Sequence, residues 1–476
     1  MSLVVPFEEI FSDETGLIAK HGTWTRVPLG EVCSVINGYP FKSSLFNTTK
    51  GFPVIRIRDL SRNRTETLFD GEIPREALID NGDLLIGMDG IFGCYEWSGG
   101  PAALNQRVCK IIPNERFLDK RFLLFAVNGY LKKIQENTSS VTVGHLSSID
   151  ILRIPLALPP RNEQGRITEK LEKLLAEVEQ CKVRMAKIPV LLKRFRQSVL
   201  AAACSGRLTA DWRDDDASER DLPASWNYLR LETLLPAGGI FDGPFGSNLK
   251  TSDYTDSGVR VIRLENIGHL RFIGEKETYI SHKKYQSLTK HTVGEGDIIF
   301  ASFIDEEIRV CVLPELTTLA IAKADCFCLR PKPELVDRRY LTYQLASRES
   351  YDVLFEDVHG ATRPRINTTQ LRKLEVRVCS LAEQQEIVRR VEALFALADR
   401  IEERHQGAKK QVDGLTQSIL AKAFRGELVS TEAELAAREG RDYESAEALL
   451  QRIHSLKIDK PEPKGASRNR LRRRDG

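Results

Sequence analysis

"NEQGRITEKLEKLLAEVEQ" (residues 162–180) and "AEQQEIVRRVEALFALADR" (residues 382–400) decide how this chain is built. Glu163 and Glu383, Gln164 and Gln384, Ile167 and Ile387, and Leu174 and Leu394 match at a constant offset of 220 residues. Further on, "RQSVLAAACSGRL" (196–208) matches "TQSILAKAFRGEL" (416–428) at the same offset, pairing Gln197 with Gln417 and Leu200 with Leu420. No insertion separates the matching blocks. Long helices behave this way, because one added residue turns everything after it by ~100°.

The periodicity agrees. Ile167, Leu171, Leu174, Leu175 and Val178 recur at three and four, as do Ile387, Val391, Leu394, Phe395 and Ala398. Gly206 and Gly426 sit where a helix stops, and Pro189 divides the first block where the second carries Gly407 and Gly414. Like helices in two like halves predict an antiparallel, coiled-coil-like pair about a pseudo-two-fold axis. Two surface helices on separate cores are the plainer alternative.

Before each helix the match is looser. "WTRVPLGEV" (24–32) pairs with "WNYLRLETL" (226–234) at an offset of 202, and "VIRIRDL" (54–60) with "VIRLENI" (261–267) at 207. "GDLLI" (82–86) pairs with "GDIIF" (296–300) at 214, and "DKRFL" (119–123) with "DRRYL" (337–341) at 218. The offset climbs to 220 and then stops, so two modules share a fold but differ in their loops. Short alternating strands, Gly-Asp and Asn-Gly turns and a helix near residues 119–134 make each module mixed α/β. The predicted order is module (1–158), helical spacer (159–213), module (214–378), helical spacer (379–430), then one short helix and a disordered basic tail (431–476).

At 476 residues the chain is too long for one ordinary core. A net charge of +3 means that nucleic-acid affinity must come from uneven placement of charge. Nine cysteines are scattered without a CxxC pair, which predicts buried, reduced thiols and a cytoplasmic protein. Cys326 and Cys328 fall on one face of a predicted strand. No apolar run approaches the ~18 residues of a membrane span.

Catalytic motifs are missing: there is no GxxxxGK[ST], HExxH or GxSxG, and no Asn-Pro-Pro-aromatic element. Asp83 and Asp297 read as turn residues. His145 and His359 stand alone. Binding chemistry is better represented. Arg56 and Arg58 are expected on one face of a strand, with Arg263 and Glu265 repeating the geometry. "HGATRPRINTTQ" (359–370) sets Thr362, Arg363 and Arg365 in a polar loop whose counterpart carries His145. Arginine and asparagine on loops can read base edges or grip phosphates, although a solvated surface explains many such residues equally well. Lys182, Arg184, Lys187, Lys193, Arg194, Arg196 and Arg207 form a run without an acid, suited to a phosphate backbone or an acidic partner. A Gly-Pro-Phe turn occurs in both modules, as "NGYPFKSSLF" (37–46) and "FDGPFGSNLK" (241–250).

"LPPRNEQGRI" with "KRFRQSVLAAACSGRLT", and "EQQEIVRRVEALFALAD" with "LTQSILAKAFRGEL", resemble the central and C-terminal conserved regions of type I restriction–modification specificity subunits, in the manner of the type IA subfamily. "INGYPFKSSLF" is similar to the start of that family's target-recognition domains. The resemblance covers essentially the whole chain. It implies a non-catalytic subunit of a DNA methyltransferase and restriction endonuclease, reading a bipartite site in double-stranded DNA. It also implies two modification subunits docked on the helices, restriction–translocase subunits completing the assembly, no membrane, and S-adenosylmethionine, ATP and Mg2+ held by the partners only. The DNA-facing candidates are then Lys42, Ser43, Arg56, Arg58, His145, Ser247, Lys250, Arg263, Asn266, Thr362, Arg363 and Arg365. Candidates for the helical spacer and subunit docking are Glu163, Gln164, Ile167, Leu174, Arg194, Arg196, Gln197, Glu383, Gln384, Ile387, Leu394, Gln417 and Leu420. The alternative is a two-module scaffold binding RNA or peptide through its modules and proteins through its helices. The first 22 residues, ahead of Trp24, have no counterpart before Trp226.

Overall fold

A computed structural model describes residues 6–11, 16–137, 145–213, 222–356, 358 and 364–458. The chain divides into unit 1 (residues 1–184 and 408–476) and unit 2 (residues 185–407). Among its longer helices are α1 (Lys120–Glu136), α2 (Arg161–Met185), α3 (Ile188–Cys204), α4 (Arg338–Ala346), α5 (Leu381–Phe424), α6 (Glu432–Glu439) and α7 (Ala446–Ile458).

In unit 1 a four-stranded antiparallel sheet runs in the order Cys33–Asn37, Val108–Pro113, Leu84–Gly87, Gly93–Glu96. A five-stranded sheet follows the order Phe46–Asn47, Leu68–Phe69, Phe52–Ile55, Ala102–Leu104, Leu78–Ile79, with one parallel pair in its middle. A separate ladder pairs Thr25–Pro28 with Pro155–Leu158 and closes the module. Unit 2 repeats this strand for strand. Its sheets run Ile240–Phe241, Cys326–Leu329, Ile298–Ala301, Val310–Val312, and Tyr254–Thr255, Tyr279–Ile280, Val259–Ile262, Ala320–Ala322, Thr292–Val293. The parallel pair recurs, and the closing ladder is Asn227–Arg230 with Glu375–Val378. The "DKRFL" and "DRRYL" matches are helix caps: Asp119 and Asp337 each accept two first-turn amides of α1 and α4.

The helical blocks do not form domains of their own, because each is shared between units. Ile167 and Leu171 of α2 join the core of unit 1 together with Ala423 and Phe424 of α5. Val199, Leu200 and Ala203 of α3 join the core of unit 2 together with Ile387 and Val391 of α5. Burying a large aliphatic or aromatic side chain contributes about 1.5–3 kcal/mol, so each helix is fixed by the core it enters. In unit 2, Arg196 pairs with Asp399 and Glu402, Arg390 reaches the Leu208 carbonyl, and Thr209 reaches Glu383. Rising numbers along α3 and the turn after it therefore meet falling numbers on α5, and the two run antiparallel. The first block breaks between Met185 and Ile188, with Pro189 in the opening turn of α3, whereas α5 continues for 44 residues through Gly407 and Gly414.

The first residues, which have no counterpart in unit 2, are part of the core: Phe7, Ile10, Phe11 and Ile18 pack in unit 1. After α5, Leu449 and Ile453 of α7 pack in the same core. Cys326 and Cys328 lie in a strand buried on both faces, where burial pushes both thiols well above their ordinary range. Among the described residues no helix is long and apolar enough to cross a membrane, and no cluster of His, Cys, Asp and Glu is arranged to hold a metal.

Candidate nucleic-acid interface

Four of the residues offered for the helical spacer or for subunit docking lie inside the units. Glu163, Gln164, Glu383 and Gln384 are at most 2% exposed. Glu163 accepts the Trp24 indole N–H at 2.8 Å and the Glu432 amide at 2.8 Å. Glu383 accepts the Trp226 indole at 3.1 Å, the Thr209 hydroxyl at 2.8 Å and the Arg213 guanidinium. Gln164 accepts the Asp119 amide and donates to the Phe117 and Pro159 carbonyls. Gln384 does the same with Asp337, Leu335 and Cys379. These matches lock each helix to its own module, so the strongest repeat in the sequence is an anchor and not a docking face. Burial pushes the Glu163 carboxyl above the usual range, with the Glu432 amide and Trp24 pulling it back.

The remaining spacer candidates divide by exposure. Ile167 and Ile387 are fully buried, Leu394 and Leu420 pack half-buried on their cores, and Leu174 is half-buried. Arg196 is held by Asp399 and Glu402, while Arg194, Gln197 and Gln417 are exposed. Sequence reasoning missed the apolar residues that the helices leave open, which are Val190, Leu191, Leu397 and Ile401 in unit 2 and Val183 and Leu415 in unit 1. Their signal was an apolar side chain off the buried stripe.

The strand expected to carry Arg56 and Arg58 on one face stops at Ile55, and Ile57–Leu60 is one helical turn. The Asp59 carboxylate accepts the Arg56 amide at 2.9 Å and turns the chain. Arg56 lies over the Phe46 ring at 4.6 Å, and Arg58 is exposed beside Asp59. In unit 2, Asn266 caps the Arg263 amide in the same way, and its own amide group donates to the Ile273 and Lys276 carbonyls. Asn266 is 1% exposed, so its polar atoms serve the turn and no partner. Arg263 pairs with Glu265 at 3.4 Å and lies over the Tyr254 ring.

The Gly-Pro-Phe turns have a common cause. A Cβ on Gly38 would stand 2.1 Å from the Asn105 carbonyl oxygen, and one on Gly243 would stand 2.1 Å from the Lys323 carbonyl carbon. Only glycine lets either turn lie against the neighbouring backbone. Phe41 is buried against Phe46 and Phe69, whereas Phe245 is exposed and faces the Arg365 guanidinium at 5.6 Å. Lys42, Ser43 and Lys250 are exposed around the turns. The Ser247 side chain, Thr362, Arg363 and His359 lie outside the described residues, as does the basic tail.

His145 and Arg365 are not isolated. The His145 Nδ1 lies 2.6 Å from the Asp89 carboxylate, which also holds Arg107 at 3.1 Å. Arg365 pairs with Asp325 at 2.6 Å, and the same Asp325 oxygen accepts the Ser302 hydroxyl at 3.0 Å. The Asp325 amide donates to Asp242, whose carboxyl is pushed up to about 6 by burial. Asp83 and Asp297 are turn residues with struts: each accepts a backbone amide three residues back, and they pair with Lys110 and Arg330.

The family described as "Type I restriction modification DNA specificity domain" matches residues 21–187 and 238–409. The Escherichia coli type I restriction enzyme EcoBI specificity subunit is 38% identical over 470 residues, spanning 94% of this chain and 95% of that one. The EcoDI specificity subunit of the same organism is 32% identical over 400 residues, spanning 79% and 84%. The crystal structure of the HsdS subunit from Thermoanaerobacter tengcongensis superposes with a TM-score of 0.57 at 18% identity, over 86% of this chain and 98% of that one. That last likeness is one of fold.

Proposed function

The chain belongs to the family of type I restriction–modification specificity subunits, and on that premise we propose that it reads a DNA site in two parts, one part per unit. One observation carries the reading: two units repeat the same sheets strand for strand and differ in the side chains at their loops. A shared scaffold with divergent loops suits two different short sequences read in the same way. The exposed apolar residues of α2, α3 and α5 suit two modification subunits, and restriction–translocase subunits complete the assembly. This chain supplies binding only. S-adenosylmethionine, ATP and Mg2+ belong to the partners, in keeping with the missing phosphate loop and Asn-Pro-Pro-aromatic element.

The test is transfer of labelled methyl groups from S-adenosylmethionine to duplex DNA. The purified chain alone is expected to give none, and the chain reconstituted with modification subunits is expected to methylate a specific site. Incorporation by the chain alone, or non-specific incorporation by the reconstituted complex, contradicts the reading.

A further inference from the structure

Three backbone positions coincide in the two units. The Met88 amide donates to the Arg107 carbonyl, and the Leu146 amide to the Met88 carbonyl; Ser302, Asp325 and Ile366 repeat both bonds. Isolated bridges join Asp89 to His145 and Phe303 to Arg365. Positions 89, 107 and 145 are thus the counterparts of 303, 325 and 365. Their side chains are not counterparts. Unit 1 carries Asp, Arg and His there, and unit 2 carries Phe, Asp and Arg.

Pairs that tie the helices to the modules keep their chemistry. Trp24–Glu163 matches Trp226–Glu383, and the Arg121–Glu172 pair matches Arg339–Glu392. Pairs that hold the scaffold are alike because the scaffolds are alike. A polar cluster that changes its chemistry on an unchanged backbone sits where the two units have different tasks.

The cluster is also built to present charge. The Asp89 and Asp325 side chains are 22% and 21% exposed, while their partners Arg107, His145 and Arg365 are 43–49% exposed. A sheltered carboxylate thus orients an open cation, and the Phe245 and Phe303 rings flank the Arg365 guanidinium. Asp325 holds a φ of +71°, a conformation that side chains other than Asn, Asp and Gly avoid. Strain of this kind persists where the surroundings over-determine it, and here three partners do: Arg365, Ser302 and Asp242.

We propose that positions 89/303, 107/325 and 145/365 are the base-reading head of each unit, and that Arg107 and Arg365 each take the edge of a guanine. The inference rests on the reading of this chain as a DNA specificity subunit. The guanidinium fork matches guanine O6 and N7 in the major groove, and a carboxylate accepts from a cytosine or adenine amino group beside it.

The test maps methylated adenines in cells that carry the modification subunits with the wild-type chain, Arg365→Lys, Asp325→Asn or Arg107→Lys. Lysine keeps the charge without the fork, and asparagine tolerates the left-handed backbone, so the folds are kept; co-purification with the modification subunits verifies this. For Arg365→Lys and Asp325→Asn, discrimination at one or two adjacent bases in one half of the site is expected to fall by about 10-fold or more. For Arg107→Lys the same is expected in the other half. Unchanged discrimination in assembled variants overturns the inference, as does a uniform loss of methylation that relaxes no base. If the wild-type chain itself directs methylation to no two-part motif, the functional reading falls first and takes this inference with it.

Discussion

Glu383→Ala is expected to destabilise unit 2 by about 3–5 kcal/mol, the range for removing one partner from a buried ion pair. Glu383 and Arg213 are 2% and 9% exposed at the side chain, so water cannot replace what is lost. The Trp226 indole and the Thr209 hydroxyl lose their acceptor, and Arg213 loses its buried carboxylate. Glu386→Ala on the next turn is the comparison. It removes the pairs with Arg389 and Arg390, which leave no indole or hydroxyl without an acceptor, and should cost clearly less than Glu383→Ala. Hydrogen exchange read by segment separates the units: protection is expected to fall across residues 227–378 and to hold in residues 25–158. A loss below about 1 kcal/mol for Glu383→Ala means that the matched glutamates are not anchors.

Lengthening α5 is expected to have the second large effect. Ile387 and Val391 are buried in the core of unit 2, and Ala423 and Phe424 in the core of unit 1, so one continuous helix is fixed at both ends. Adding four residues near Gly407 nearly preserves the phase of the two buried faces and lengthens the helix by ~6 Å. The bases read should stay the same, while the unread gap between them widens by one or two base pairs at ~3.4 Å each. Adding two residues rotates Ala423 and Phe424 by ~200° away from their core. Displacing a buried phenylalanine costs about 3–5 kcal/mol, so the two-residue insertion should abolish methylation. An active four-residue variant with an unchanged gap shows that α5 does not set the spacing.

The duplication was legible because one added residue turns a helix by ~100° out of phase: the constant 220-residue offset marks residues that enter a core at one end of a helix. What those residues do was not legible. Glu163 and Gln164 look like surface residues by type, and only the tertiary fold brings Trp24 and the Asp119 amide to them. The Arg56 strand was misread because alternation in "VIRIRD" is outweighed by Asp59, which caps the Arg56 amide and starts a turn. The same holds for Asn266, a polar residue spent on its own backbone. His145 and Arg365 stood out as loop residues, but their partners lie 56 and 40 positions away in sequence. Only the sheet ends bring them together.

On the proposed reading, each unit reads its own part of the site. The ladder of Asn227–Arg230 with Glu375–Val378 brings the ends of the second module together, so residues 227–378 can be exchanged as a block. The direct test replaces that block with its counterpart from a relative whose methylated motif differs, and maps methylated adenines in cells carrying the hybrid. The predicted result is that one block of the motif changes to the relative's, while the other block and the gap stay as they were. A motif in which both blocks change, or neither does, contradicts the account.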